Sequence, residues 1–206
     1  LLKTRIGKLE LKNPVMVASG TFGYGEEFSE MFDLAALGAV VTKGISLKPR
    51  EGNPMPRIVE TPSGMINAIG LANVGVEKFL SEKLTFLVSR KATVIVNVFG
   101  SSIEEYEEVA RCFEGVRGVA GIEVNISCPN VKAGGVQFGT DPEMAKKVID
   151  RVRKSYDGFL MVKLSPQVSD IRQMARAMED VGADALSLIN TVPAMVIDSV
   201  KMKPVL

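Results

Sequence analysis

The sequence has no histidine, no tryptophan and only two cysteines in 206 residues. Without histidine, the side chain that most often moves protons near neutral pH is missing. A general base working there must be a cysteine, a lysine or a carboxyl group with a shifted pKa. Two thiols do not make a disulfide framework, and without histidine they do not make a zinc site. The carboxylates show no convincing metal-ligand spacing. So thiol-poor a chain fits a reducing, cytoplasmic setting. No apolar run is long enough to cross a bilayer, and Leu1-Leu2-Lys3-Thr4-Arg5 lacks the apolar core of a signal peptide. An excess of charge of one sign is also missing. The 25 basic and 24 acidic residues leave a net charge of +1, and no basic stripe carries interleaved aromatics. Neither a nucleic acid nor an anionic membrane is indicated as a partner.

What is present is a regular alternation. Segments 15–18, 39–42, 93–98, 121–126, 159–164 and 185–189 are rich in Val, Ile and Leu. Runs this continuously apolar predict strands buried on both faces. Between them lie helix signals. Ser102-Ile103-Glu104-Glu105 reads as a capping box, followed by Tyr106, Val109, Ala110 and Phe113 on one face. Thr140-Asp141-Pro142-Glu143 reads as a second, followed by Met144, Val148 and Val152, with Arg151, Arg153 and Lys154 where they suit the dipole. Ser169 is expected to open a third helix bearing Ile171, Met174, Ala175 and Met178, with Gly182 just past its end. Such units imply a parallel sheet, either open and doubly wound or closed as a barrel.

The dinucleotide fingerprint is not found after the first strand. Ser19-Gly20-Thr21-Phe22-Gly23-Tyr24-Gly25 is glycine-rich, but its spacing is wrong. Residues 4–11 alternate around Gly7-Lys8 like a hairpin that would cap the bottom of a barrel. Segment 44–75, with Pro49, Pro54, Pro56 and Pro62, reads as a long functional loop. Six strands fall short of the eight of a closed barrel, so the chain is expected to be part of a longer protein.

Each predicted strand ends on a polar residue: Ser19, Lys43, Asn97, Asn125, Lys163 and the pair Asn190-Thr191. One Asn or Ser there is usually a cap, and one Lys usually snorkels to solvent. A whole series argues for a site, because the strand ends of a parallel barrel converge on one face. Amides donate and accept along a heterocycle's edge, and lysines place positive charge beside a ring that becomes electron-rich. The run Val124-Asn125-Ile126-Ser127-Cys128-Pro129-Asn130 sets a thiol where an apolar strand breaks at a proline, with Ala133-Gly134-Gly135 close by. Cys128 is therefore the candidate for chemistry. Cys112 lies on a helix's apolar face and reads as core packing, as do the methionines.

Asn125-Ile126-Ser127-Cys128-Pro129-Asn130, Asn67-Ala68-Ile69-Gly70-Leu71, Thr42-Lys43-Gly44 and Leu188-Ile189-Asn190-Thr191 resemble the dihydroorotate dehydrogenase family, over essentially the whole chain. Asn-Ala-Ile-Gly-Leu and Ile-Asn-Thr lean toward the catalytic (FMN) subunit of its NAD-linked, two-component branch. The resemblance implies an α/β fold, a (β/α)8 TIM barrel with about six of the eight β-α units present. It implies a single FMN-binding domain over 1–206, truncated at its C-terminus. The implied reaction is oxidation of dihydroorotate to orotate in pyrimidine biosynthesis, a proton leaving C5 and a hydride passing from C6 to FMN. Cys128 matches the base. Lys43, Asn67, Ala68, Ile69, Gly70, Leu71, Asn125, Asn190 and Thr191 match substrate-binding residues. Ser19, Lys43, Gly44, Asn97, Asn125, Lys163 and Ile189 match FMN contacts. Lys163 would stabilise the anionic reduced flavin, and Gly134-Gly135 would hinge a lid.

The resemblance also implies a partner subunit carrying FAD and a [2Fe–2S] cluster, for which this chain has no cysteine cluster. A cytoplasmic homodimer within a heterotetramer follows, with no nucleic-acid or membrane partner. Two further β-α units with glycine-rich loops for the FMN phosphate would continue beyond Leu206. Val192-Pro193-Ala194-Met195 has Pro and Ala where the family is expected to carry glycine. Three other readings stay open: a fumarate-linked dihydroorotate dehydrogenase, another FMN-barrel dihydropyrimidine oxidoreductase, and an inactive barrel piece serving only in binding or structure.

Overall fold

The computed structural model describes residues 2–127 and 138–206. Six strands form one sheet: β1 (Met16–Val17), β2 (Ala39–Val41), β3 (Val94–Val98), β4 (Val119–Asn125), β5 (Phe159–Lys163) and β6 (Ala185–Ser187). Every pairing is parallel, and each strand lies beside the next one in sequence. All the segments expected to be strands are strands. They are trimmed by a residue or more at their ends, except that β4 starts earlier, at Val119.

Between β2 and β3 runs a helix, α1, over 75–89, with a π-helical stretch Phe79–Leu84 inside it. Then follow α2 (Ile103–Arg111), α3 (Pro142–Ser155) and α4 (Ile171–Asp180), each between consecutive strands. This sequential strand order is that of a barrel wall, whereas a doubly wound sheet reverses direction partway. Neither the helix over 75–89 nor the hairpin of Ile58–Thr61 with Gly64–Asn67 within the long segment was expected from the sequence. A further small hairpin joins Ile197–Asp198 to Lys203–Pro204.

Side chains of a strand point alternately to its two faces. Val94, Val96, Val98, Ile122, Val124, Leu160 and Val162 therefore form one core with the helices, meeting Tyr106, Val109, Val148, Ile149, Val152, Met174 and Met178. The intervening residues Ala39, Val41, Ile95, Phe159 and Met161 form a second core on the inner face, with Leu11. Leu11 comes from the expected hairpin, Thr4–Ile6 with Leu9–Leu11, which closes the bottom of the sheet. At its tip, Lys8 Nζ donates to the Asp157 carbonyl at 2.7 Å and pairs with Asp184 at 3.4 Å. Gly7 (φ +53°) sits so close that a Cβ would lie 2.8 Å from the Asp184 carbonyl oxygen.

Two helix starts differ from the sequence reading. Asp141, not Thr140, caps α3, its carboxylate accepting from Glu143 N and Met144 N. Thr140 belongs instead to the 3-10 turn Phe138–Thr140. Asp170, not Ser169, caps α4, accepting from Arg172 N at 2.9 Å. In both cases a carboxylate lies next to the expected hydroxyl, and a charged acceptor meets the positive end of a helix dipole better. At α2 the expected Ser102 is the cap, but Glu105 accepts from Ser101 N rather than from the capping residue itself. Cys112 follows α2 and packs against the outer core, and burial pushes its thiol pKa up. The methionines divide: Met161, Met174 and Met178 are core, but Met31, Met55, Met65, Met195 and Met202 lie exposed outside the helices.

Candidate active site

Along the inner face, polarity rises toward the C-terminal ends of the strands. Above the apolar layer, the same inward positions become Glu123 on β4, Asn97 on β3, and then Asn125 and Lys163 at the ends of β4 and β5. Lys43 follows β2 by two residues. Period-two alternation lifts each of these side chains from the same column as the core residues below it.

Lys163 is only 9% exposed, yet it makes no hydrogen bond or ion pair among the described residues. Lys43 is half-buried and likewise without an ion pair among them. Burial and the nearby Arg57 lower its pKa from the usual lysine value, against a smaller opposing effect of Glu27. Two lysines partly withdrawn from water and in no ion pair among the described residues suit a ligand that brings negative charge.

The amides are aimed by their partners. Asn125 Oδ1 accepts from Ser127 N and from Asn190 Nδ2, both at 3.1 Å. Its backbone carbonyl accepts from Tyr106 Oη at 2.7 Å. Asn125 Nδ2 is thus left as a donor without a partner among the described residues. Asn190 Oδ1 in turn accepts from Thr191 N at 2.8 Å, so Asn190 ties the end of β6 to the end of β4. Asn97 is the converse of Asn125. Its Nδ2 donates to Glu123 Oε1 at 2.5 Å, while its Oδ1 is buried and accepts from nothing among the described residues. Beside that oxygen, a Cβ on Gly44 would lie only 2.9 Å away. Ser127 Oγ is buried without a partner among the described residues as well.

The long segment is fastened to the sheet by Asn73, which is 7% exposed. Its Oδ1 accepts from Gly75 N and Ser46 N, and its Nδ2 donates to Ser46 Oγ and the Leu71 carbonyl. Arg50 reaches across to Ser101 Oγ at 2.7 Å and lies over the Phe99 ring. These ties hold the chain from Asn67 to Leu71 in place. Gly70 and Leu71 both adopt positive φ, and the Ala68 and Ile69 carbonyls accept from Asn53. Asn67 and Ala68 line a cavity of about 130 Å3 with Ala194, Met195, Val196 and Leu206. A surface cleft of about 400 Å3 lies between α3 and α4, where Lys146–Asp180 and Arg172–Asp170 pairs balance its charge.

The structure thus brings Lys43, Gly44, Asn125, Lys163, Asn190 and Thr191 to the strand ends, with Asn97 one inward position below Asn125 and Lys163. Ser19, Ile189 and the stretch Asn67–Leu71 are joined to that group by no hydrogen bond among the described residues; Ile189 and Thr191 are exposed. Cys128, Asn130 and Gly134-Gly135 lie outside the described residues. Glu123, Asn73 and Arg50 are additions that sequence reasoning passed over. A charge inside the run Ile122-Glu123-Val124 was the one signal available for Glu123. Among the described residues, no helix is long and apolar enough to cross a membrane.

Residues 1–206 match the family model described as dihydroorotate dehydrogenase. The chain is 58% identical over 205 residues to a protein of Pelobacter propionicus named "Dihydroorotate dehydrogenase B (NAD(+)), catalytic subunit". It is 56% identical over 205 residues to the protein of the same name from Geobacter sulfurreducens. Each alignment covers 100% of this chain and 67% of the relative. Among solved structures, DHODH from Eimeria tenella in complex with ferulenol superimposes with a TM-score of 0.77 at 20% identity, over 98% of this chain and 62% of that one. That likeness extends the sequential parallel sheet to a barrel fold. On its sequence and its fold together, the chain belongs to the dihydroorotate dehydrogenase family.

Proposed function

We propose that the chain forms part of the catalytic subunit of an NAD-linked dihydroorotate dehydrogenase, which oxidises dihydroorotate to orotate in pyrimidine biosynthesis with FMN as its cofactor. The observation that carries this reading is the gathering, toward the upper ends of neighbouring strands, of two lysines that form no ion pair and two asparagines with unused hydrogen-bonding atoms among the described residues. One asparagine leaves an acceptor, Asn97 Oδ1, and the other a donor, Asn125 Nδ2. A planar ring that alternates donors and acceptors and gathers negative charge matches that set.

The residues fit FMN on two counts. Asn97 Oδ1 is buried and needs a donor, and Gly44 sets bare backbone so close to it that even a Cβ would lie 2.9 Å away. Lys43, Gly44, Asn97, Asn125 and Lys163 would hold the ring, with Ser19 and Ile189 at its margin. When bound, FMN supplies the acceptor for the hydride from C6. Lys163, already paired in register with Asn125, stabilises negative charge on the ring from a site poor in water. Asn67 through Leu71, Lys43, Asn125, Asn190 and Thr191 grip the carboxylate and imide edges of the substrate.

Cys128 follows Ser127 directly in sequence and takes the C5 proton on its sulfur. A free thiol titrates at about 8.5, so this role requires surroundings that favour the thiolate. The relatives' printed names call them catalytic subunits, which supports a separate electron-transfer subunit. FAD and a [2Fe–2S] cluster on that partner, a homodimer within a heterotetramer, a single FMN-binding domain and a cytoplasmic setting belong to the same proposal.

Turnover of the intact protein with an artificial electron acceptor tests the substrate. Dihydroorotate is expected to be oxidised and dihydrouracil left unchanged; oxidation of dihydrouracil alone would move the chain to another dihydropyrimidine chemistry. Reoxidation by fumarate, without a partner subunit, would overturn the NAD-linked assignment.

A further inference from the structure

Asn97 and Glu123 face each other across β3 and β4, where the register pairs them directly. They are 1% and 2% exposed. A carboxamide has two chemically different ends, and half a turn about its last bond exchanges them. As a carboxylate, Glu123 can only accept. Facing the amide oxygen, it would press two acceptors together inside a buried site, which is costly. Facing the amide nitrogen, it makes the hydrogen bond seen at 2.5 Å. Glu123 therefore selects one of the two orientations of Asn97. The selected one leaves Oδ1 buried, close to the bare backbone of Gly44 and without a partner among the described residues. Asn97 N also donates to Thr42 Oγ1, just past the end of β2, so the backbone of this residue is held from the side away from Glu123.

We propose that Glu123 is a positioning residue for the cofactor: it locks the Asn97 amide so that the site presents an acceptor, and only an acceptor, to a ring-edge imide N–H. Glu123 acts through Asn97. The inference rests on the FMN reading and deepens it, because it says which edge chemistry the site selects. An oxidised isoalloxazine carries a single N–H, in its imide, and a pyrimidine substrate also carries imide N–H. The flavin is the ligand we assign to Asn97 Oδ1, since Asn97 lies below Asn125 and Lys163 on the inner face, within its strand rather than at its end.

The test uses the intact protein, stripped of flavin and titrated with FMN by fluorescence quenching, with the melting of the stripped protein as a check on folding. In Glu123→Gln the new amide offers both a donor and an acceptor, so Asn97 turns either way. FMN affinity is expected to fall about three- to tenfold, the worth of one buried hydrogen bond, with melting unchanged. Asn97→Asp sets two carboxyl groups against each other and is expected to weaken FMN by about tenfold or more. Combining the two restores the pattern: the new glutamine donates to one oxygen of the new aspartate, and the other oxygen points outward as before. The double variant is expected to recover to within about threefold of the parent, which a merely structural role for Glu123 would not produce.

Failure of the double variant to recover, or unchanged FMN affinity in Glu123→Gln, overturns the inference. So does a loss of orotate affinity with FMN affinity intact, which would assign the acceptor to the substrate's imide. If the parent protein itself binds no FMN, the flavin reading falls and takes this inference with it. If the parent binds FMN and the variants match it, the inference falls alone.

Discussion

At the lower end of the sheet, Ala39, Ile95 and Phe159 meet Leu11 of the N-terminal hairpin, and Lys8 is satisfied by Asp157 and Asp184. At the upper end, side chains from the same inward column leave Asn97 Oδ1, Asn125 Nδ2 and the ammonium of Lys163 without partners among the described residues. The lower end has resolved its chemistry internally and contributes shape. The upper end has been left short of partners, and buried polar groups in that condition point to a ligand. One strand pattern serves both ends because alternation fixes only which face a residue sees, not its polarity.

Several substitutions would break this contrast if it were wrong. The largest effect is expected in the reaction itself. Cys128→Ser should cut turnover at neutral pH by about a thousandfold, the usual worth of a general base, while FMN stays bound. Unchanged turnover would remove the thiol from the reaction. At the lower end, Phe159→Ala should cost about 3 kcal/mol or more of stability in a denaturant titration, since the ring is 3% exposed and packs against Gly121. FMN affinity of the folded fraction should stay near that of the parent; a large loss would mean that the two ends are not separable.

Gly44→Ala comes next. Its Cβ would lie 2.9 Å from Asn97 Oδ1 and 3.1 Å from the Phe99 ring. FMN affinity should drop by about tenfold, and a variant that binds as tightly as the parent would show that the space beside Gly44 is not the flavin's.

The effect of pH sharpens the comparison further. Burial and Arg57 lower the pKa of Lys43. An anionic substrate beside it favours the charged form, so orotate binds best below the free-protein pKa of Lys43. Affinity then falls as pH rises through that value, beginning at lower pH than for an ordinary lysine. Lys43→Arg, which stays charged, should abolish the alkaline fall; its persistence would assign the titration to another group. The smallest effect is expected from Lys8→Ala. Its partly exposed ion pair should be worth about 1 kcal/mol or less, with no change in substrate affinity.

Much of this architecture can be read directly from the residues. Strands buried on both faces leave apolar runs such as Val94–Val98, and those runs located the whole sheet. Polar residues closing the runs located its upper end. The helix over 75–89 stayed hidden because its π-helical stretch Phe79–Leu84 breaks the 3.6-residue spacing by which helices are recognised. The caps of α3 and α4 were misplaced by one residue because hydroxyl and carboxylate neighbours compete for the same free amides. The charge of Glu123 inside an apolar run marks it as unusual, but its role is hidden for a different reason. Its significance comes from lying opposite Asn97 in the register, and register between strands so far apart in the chain is set by packing rather than by any local signal. The donor and acceptor left over at Asn125 and Asn97 are likewise properties of partners, which composition and spacing do not reveal.

Anaerobic addition of dihydroorotate to the FMN-loaded, intact protein tests most directly whether the upper end of the sheet is a flavin site for that substrate. The visible absorbance of the flavin is expected to bleach, with orotate formed in equal amount. A bound flavin that dihydroorotate leaves fully oxidised would contradict that assignment.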